Sequence, residues 1–160
     1  MSSFADLLRR ELPQTWGEPF TQFFGAETVV RPSPWQGPPP DRWIEGTWRV
    51  GDQRRRLWLG TRRELAFAIA GRLTLMPASR LDALLEESDD PPAVVDAFGE
   101  WGNLAIAYLA DLFRQAFGPE ASAVRACEVA PTKPRPRGSS LDFTLSWRGG
   151  AGGPVRLIIE

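Results

Sequence analysis

Residues 93–117 read AVVDAFGEWGNLAIAYLADLFRQAF, and this stretch decides the fold. Apolar residues recur in it at helical spacing, so the stretch predicts one long amphipathic helix. Its apolar face consists of Val94, Phe98, Trp101, Ala105, Tyr108, Leu109 and Leu112. Asp96, Glu100 and Asn103 follow at i, i+4 and i+7, within roughly 60° of one another on the helix surface. We therefore expect a helix that is buried on one face and exposes Glu100 and Asn103 on the other.

The rest of the chain supplies the elements against which this helix can pack. Further helices are predicted from the Ser2-Ser3 cap to Pro13, over Thr15–Gly25, over Arg62–Leu75, and over Ser79–Glu87 with Ser79 as the cap. Strands are predicted over Glu27–Arg31, Trp43–Val50, Arg56–Gly60, Ala123–Ala130, Leu141–Arg148 and Val155–Glu160. The connectors are a Pro-rich loop over residues 32–40, Pro131 to Ser139, and a turn from Gly149 to Pro154. This order predicts an α+β fold, residues 1–160 as a single domain, in which one mixed or antiparallel β-sheet packs against two long helices.

A run of three arginines and the single cysteine are each interpreted as structural features and not as functional sites. Arg54, Arg55 and Arg56 are expected at the turn of a hairpin, where a solvated end is favoured over an anion site. Cys127, the only cysteine, lies in an apolar run and is expected to be a buried thiol, and no disulfide can form within the chain.

Histidine is absent, and this excludes several kinds of chemistry. Without it the chain lacks the usual general base of hydrolases, a phosphohistidine carrier and the commonest zinc ligand. No Gly-rich phosphate loop or metal-ligand cluster is evident either, so we expect no cofactor or metal of its own. Any catalysis must use carboxylates, amides, hydroxyls, arginine, Lys133 or groups that a partner brings.

Overall charge argues against two classes of partner. The 19 basic and 20 acidic residues give a net charge of −1, which provides no general attraction for nucleic acid or for an anionic membrane surface. No apolar run is long enough to span a bilayer. The chain is therefore expected to be cytoplasmic, without nucleic-acid or membrane partners.

Asp96, Glu100 and Asn103, here called the polar stripe, resemble the motif of the chemotaxis phosphatases of the CheC, CheX and FliY kind. Residues Asp96 to Asn103 and the following Leu104 look like that family's Asp-x-x-Gly-Glu-Leu-x-Asn-apolar segment. The order of strand, apolar helix and acidic approach is also similar, so the resemblance covers residues 43 to 117 in pattern. Thr61 to Leu75 contains no asparagine, which makes the chain most similar to CheX-like members with a single site.

The resemblance implies a function that suits a chain without histidine. The substrate would be the phosphoaspartate of a CheY-like response-regulator receiver domain in two-component chemotaxis signalling, with Mg²⁺ and a lysine on that receiver. Asn103 would orient the attacking water, and Glu100 would pair with the receiver's lysine. Asp96 would be a supporting contact.

Some residues depart from the family pattern, and other interpretations stay open. Trp101 is larger than the usual residue, Ala107 replaces a common glycine, and a usual proline is missing near Arg125 and Ala126. The fold and stripe would equally suit a non-catalytic receiver-binding domain or a flagellar or chemotaxis switch component. The stripe can also be only the solvated face of a helix, and exposed tryptophans could form an unrelated partner surface. The sequence leaves open a homodimer and whether Val155 to Glu160 pairs within the chain.

Overall fold

The computed structural model describes residues 3–130, 139–149 and 152–160. In it six strands form one sheet in which every neighbouring pair is antiparallel. The strands are β1 (Thr28–Pro32), β2 (Arg42–Val50), β3 (Gln53–Thr61), β4 (Ala121–Ala130), β5 (Ser139–Trp147) and β6 (Gly152–Ile159). Their order across the sheet is β1-β5-β6-β3-β2-β4. The last strand pairs with β5 and β3 of the same chain, which the sequence had left open.

Five helices are present in the described part of the chain. They are α1 (Phe4–Phe24), α2 (Arg63–Thr74), α3 (Ala78–Leu85), α4 (Pro92–Ala107) and α5 (Ala110–Phe117). The predicted α+β fold with an antiparallel sheet is confirmed, although the longest helix is α1 rather than one of the two principal helices expected. Helix α3 begins after Pro77 without a side-chain cap, so the expected capping role of Ser79 is wrong.

Helix α1 continues through Pro13, where the first predicted helix was expected to end, and it joins the two helices predicted on either side of that proline. Pro13 and Pro19 both lie inside the helix. Ser3 and Asp6 form a reciprocal capping box at the start of the helix. From Leu8 onward, every fourth residue is buried. The buried residues are Leu8, Leu12, Trp16, Phe20 and Phe24. Burying such a stripe contributes roughly 1.5–3 kcal/mol per large side chain, which outweighs a penalty of about 3 kcal/mol for each proline.

The single helix predicted over residues 93–117 is divided into α4 and α5. At the break the Leu109 N–H bonds the carbonyl of Ile106, 3.0 Å away and only three residues back. The carbonyl of Ala105 instead accepts the indole N–H of Trp16 at 2.9 Å. The break leaves Tyr108 at the surface, contrary to its predicted burial, while Leu112 and Phe113 of α5 are buried. An indole from α1 thus completes the hydrogen bonding where the helix changes direction.

Helix α4 lies very close to β2, and two glycines make this approach feasible. A side chain at Gly102 would collide with Ile44, and one at Gly46 would collide with Ile106. The predicted burial of Val94, Phe98, Trp101, Ala105, Leu109 and Leu112 is confirmed, each being at most 2% exposed. The inner face of α4 is therefore fixed against the sheet, which determines the direction of its outer face.

Strand β3 begins earlier than predicted and includes the three arginines expected at the turn. Arg54, Arg55 and Arg56 continue the ladder opposite Arg49, Trp48 and Thr47. Their side chains are exposed, and the guanidinium of Arg55 lies 5.8 Å from the centre of the Trp48 ring. The three arginines therefore lie in the strand because the Gly51-Asp52 turn is shorter than predicted.

Two predicted features fall wholly or mostly outside the described part. The side chain of Cys127 is not among the described side chains. Of the connector predicted from Pro131 to Ser139, only Ser139 is described, and it begins β5.

Candidate functional site

The outer face of α4 carries two exposed carboxylates. Asp96 and Glu100 are both exposed, as predicted for Glu100. Neither has an ion-pair partner among the residues that the structure describes. Helix α4 itself contains no lysine or arginine. The stripe is therefore an anionic surface without local neutralisation, able to attract a cationic group from outside the chain.

Asn103 is half-buried rather than exposed, and this expectation was wrong. Its amide oxygen Oδ1 is buried and lacks a hydrogen-bond partner among the described residues. The prediction considered helix α4 alone and did not include neighbouring helices. In the structure, Phe23 from the last turn of α1 lines the same pocket as Asn103. An unpaired buried acceptor costs roughly 1–3 kcal/mol, so this amide is held in an unfavourable environment.

Glu100 and Asn103 line one open pocket of about 430 Å³. Its other walls are the apolar side chains of Phe23, Leu104 and Ala107. Asp96 lies on the same helix face but is not part of the pocket lining. Rotation of the Asn103 amide about its last side-chain bond would exchange the positions of its oxygen and nitrogen. The pocket can thus present a carboxylate and either end of an amide to one bound group.

The start of α4 is held by a cluster of two arginines around Asp90. Arg42 donates from Nε at 2.6 Å and from Nη2 at 3.1 Å to the two carboxylate oxygens, and Arg63 donates from Nε at 2.9 Å. Arg63 also donates to the carbonyls of Leu85 and Glu87, each at 2.6 Å. Asp90 directly precedes the prolines that begin α4, so the cluster ties this helix to β2, α2 and the end of α3.

The cluster shifts the pKa of its carboxyl group. The hydrogen bond from Arg42 first, and that from Arg63 second, hold the pKa of Asp90 below its ordinary value despite partial burial. The same contact raises the pKa of the Arg42 guanidinium. Asp90 therefore stabilises the fold at pH values above the ordinary carboxyl pKa of about 3.9.

We expect Asp90→Asn to lower the free energy of unfolding by about 2 kcal/mol at pH 7, because it removes charge-assisted hydrogen bonds from a partly buried cluster. The folded-state pKa is depressed, so the parent loses this contribution as the pH falls below about 4 and through the folded-state pKa. Urea unfolding at pH 7 and pH 3 should show a difference between parent and variant that narrows in acid. A difference of equal size at both pH values would show that the titrating charge of Asp90 is not its source.

Helix α2 offers no second site of the same kind. At the spacing of the stripe it carries Glu64, Ala68 and Gly71, and it contains no asparagine. Leu81 of α3 lies directly over Gly71, where a side chain would collide with it. Leu75, the residue after the end of this helix, is 81% exposed.

The remaining alternatives from the sequence can be compared with the structure. Of the four tryptophans expected to form an aromatic partner surface, Trp16, Trp43 and Trp101 are each at most 3% exposed. Trp35 is half-buried, with the Arg156 guanidinium 5.1 Å from its ring centre, so the four do not form a continuous exposed surface. Trp101 fits the core by stacking on Phe98, with ring centres 5.8 Å apart. In the described part of the chain, no three His, Cys, Asp or Glu residues are grouped as a metal site would require. None of the described helices is both long and apolar enough to cross a membrane.

Comparisons with solved structures identify the fold. FliY from Thermotoga maritima matches with a TM-score of 0.72 and 11% identity, over 100% of this chain and 91% of that one. The FliM middle domain from Vibrio alginolyticus matches with a TM-score of 0.64 and 12% identity, over 98% and 92%. CheX in a complex with CheY, BeF₃ and Mg²⁺ from Borrelia burgdorferi matches with a TM-score of 0.56 and 12% identity, over 92% and 94%.

These similarities confirm at the level of the fold the resemblance that the stripe indicated. No protein-family model matches the sequence. The search of curated proteins likewise gives no match.

Proposed function

We propose that this chain accelerates hydrolysis of the phosphoaspartate of a CheY-like receiver domain. One observation carries the proposal: Glu100 and Asn103 line a single open pocket on a rigid helix, within a fold shared with FliY and CheX. The CheX match was solved with CheY, BeF₃ and Mg²⁺, and beryllofluoride on a carboxylate imitates a phosphoryl group. A receiver domain is therefore a reasonable partner for the same fold here.

The reaction requires little covalent chemistry from this chain. An acyl phosphate is already reactive, and Mg²⁺ and lysine on the receiver would neutralise the phosphoryl oxygens. What remains is to place a water in line with the phosphorus, which is a matter of positioning. The half-buried Asn103 amide has restricted freedom, and in the orientation with Oδ1 toward the pocket it would accept a hydrogen bond from the attacking water.

Glu100 would form the docking contact. It is exposed, it has no ion-pair partner in the described structure, and it lies one turn before Asn103 on the same helix. A lysine ammonium of the receiver would form a charge-assisted hydrogen bond with it. Asp96, one further turn away, would add to the attraction without reaching the phosphoryl group.

Glu100→Gln is expected to weaken binding of a beryllofluoride-loaded receiver about tenfold, because it removes the charge from this contact. The rate at saturation should fall less than binding does. Glu64→Gln is a matched control, since it makes the same change on an exposed residue of helix α2. Equal loss of binding by both variants would show that only overall charge matters and would contradict the docking role of Glu100.

A second candidate function is a non-catalytic receiver-binding or flagellar switch component. The FliM middle domain shares this fold, and the buried orientation of Asn103 Oδ1 does not present a water-binding acceptor to the pocket. In that case the chain would bind a phosphorylated receiver without shortening the lifetime of its phosphoryl group. Binding and turnover measured on the same preparation separate the two functions.

A further inference from the structure

The pocket that holds the stripe has an apolar half. Phe23, Leu104 and Ala107, here called the apolar shelf, complete the lining beside Glu100 and Asn103. The Phe23 ring lies 5.5 Å from that of Phe24, which stacks on Trp147 at 5.0 Å. Leu104 is half-buried and packs against the core. The shelf is therefore anchored in the fold and does not depend on a flexible side chain.

The pocket measures about 430 Å³ and has apolar walls that the proposed reaction does not use. A docked phosphoryl group and a lysine would occupy the polar half. The apolar half would remain filled with water in contact with hydrocarbon, which is unfavourable unless the partner supplies an apolar group.

Charge and spacing restrict what that partner surface must look like. The anionic stripe favours a cation opposite Glu100, because α4 has none of its own. Leu104 and Ala107 follow Glu100 by four and seven residues, which corresponds to roughly 6 to 10 Å along the helix axis. A complementary surface therefore has a cation with an apolar side chain about this distance away.

We propose that the apolar shelf binds an apolar side chain of the receiver, located roughly 6 to 10 Å from the receiver's lysine. This inference rests on the proposed function and adds a determinant of partner choice to it. A receiver with a charged side chain at that place would be rejected, because its charge would be desolvated without a partner.

Two variants test the shelf in different ways. Leu104→Ala removes part of the apolar lining of the pocket. Ala107→Trp fills the apolar half of the pocket with a large side chain and deletes no core contact. The matched control is Leu75→Ala, which truncates a leucine that is 81% exposed and lies in a different pocket. The probe is a CheY-like receiver loaded with BeF₃⁻ and Mg²⁺, titrated with each protein, and the phosphorylated receiver is then used to obtain kcat and KM.

We expect both shelf variants to raise the Kd and the KM about tenfold, a typical effect for an apolar anchor residue. Their kcat should stay within about twofold of the parent, and Leu75→Ala should match the parent in every value. If the parent binds and turns over the receiver but both shelf variants have the parent's Kd, the shelf inference is wrong and the proposed function stands. If the parent neither binds nor dephosphorylates the receivers, the proposed function is wrong and the inference is lost with it.

Discussion

Asn103→Ala is expected to slow dephosphorylation of a receiver by about a hundredfold or more, which corresponds to about 3 kcal/mol of transition-state stabilisation. The affinity for the beryllofluoride-loaded receiver should remain nearly unchanged, because a water-positioning group acts in the transition state. The variant should also be at least as stable as the parent. It removes a buried amide oxygen that lacks a partner in the described structure, and alanine is the better helix former.

The combination of lost turnover and retained or raised stability is the distinguishing result. Thermal unfolding should show a midpoint at or above that of the parent, by roughly 2–4 °C for each kcal/mol in a domain of this size. Gln115→Ala provides the control, since it replaces an exposed carboxamide on α5, outside the pocket. A variant at Asn103 that retains the parent's turnover would refute the catalytic assignment. One that loses activity only in proportion to unfolded protein would do the same.

Phe98→Ala is expected to have the opposite effect, with a loss of roughly 3 to 5 kcal/mol in the free energy of unfolding. Phe98 is 2% exposed and stacks on Trp101, whose ring also contacts that of Phe20 in α1. Truncation would leave a cavity between α4 and the rest of the core, which cannot collapse freely because Gly102 already lies against Ile44. Urea denaturation followed by tryptophan fluorescence measures the change directly.

The control for this variant is Phe117→Ala, which makes the same truncation at a position that is 40% exposed. Its cost should be well under that of Phe98→Ala. Activity per folded molecule should be retained by both, since neither residue lines the pocket of Glu100 and Asn103. A cost at Phe98 below about 1 kcal/mol would show that α4 is not anchored by its apolar face.

The sequence predicted the sheet and the inner face of α4 because those features repeat a local pattern. Helical spacing in residues 93–112 indicated which side chains of this segment are buried, with Tyr108 at the helix break as the exception. Pro13 misled the prediction for α1, since a proline inside a helix is tolerated when neighbours such as Leu12 and Trp16 are buried. The break before α5 could not be predicted either, because it depends on a hydrogen bond from Trp16 across 89 residues of sequence.

The sequence predicted which residues share the helix face of the candidate site, but it did not predict the burial of those residues or their neighbours. The spacing of Asp96, Glu100 and Asn103 placed them on one face, and the structure has them there. What the spacing could not show is that Phe23 of α1 lines the same pocket and that Asn103 is half-buried. Contacts between distant helices decide the environment of a side chain, and no local pattern records them.

The most direct test of the phosphatase activity is the lifetime of the phosphoaspartate on a CheY-like receiver, followed with and without this chain in the presence of Mg²⁺. We expect the lifetime to shorten in proportion to the added protein, and the Asn103→Ala protein to leave it nearly unchanged while still binding. An unchanged lifetime in the presence of parent protein that demonstrably binds the receiver would contradict phosphatase activity and would support a non-catalytic switch component.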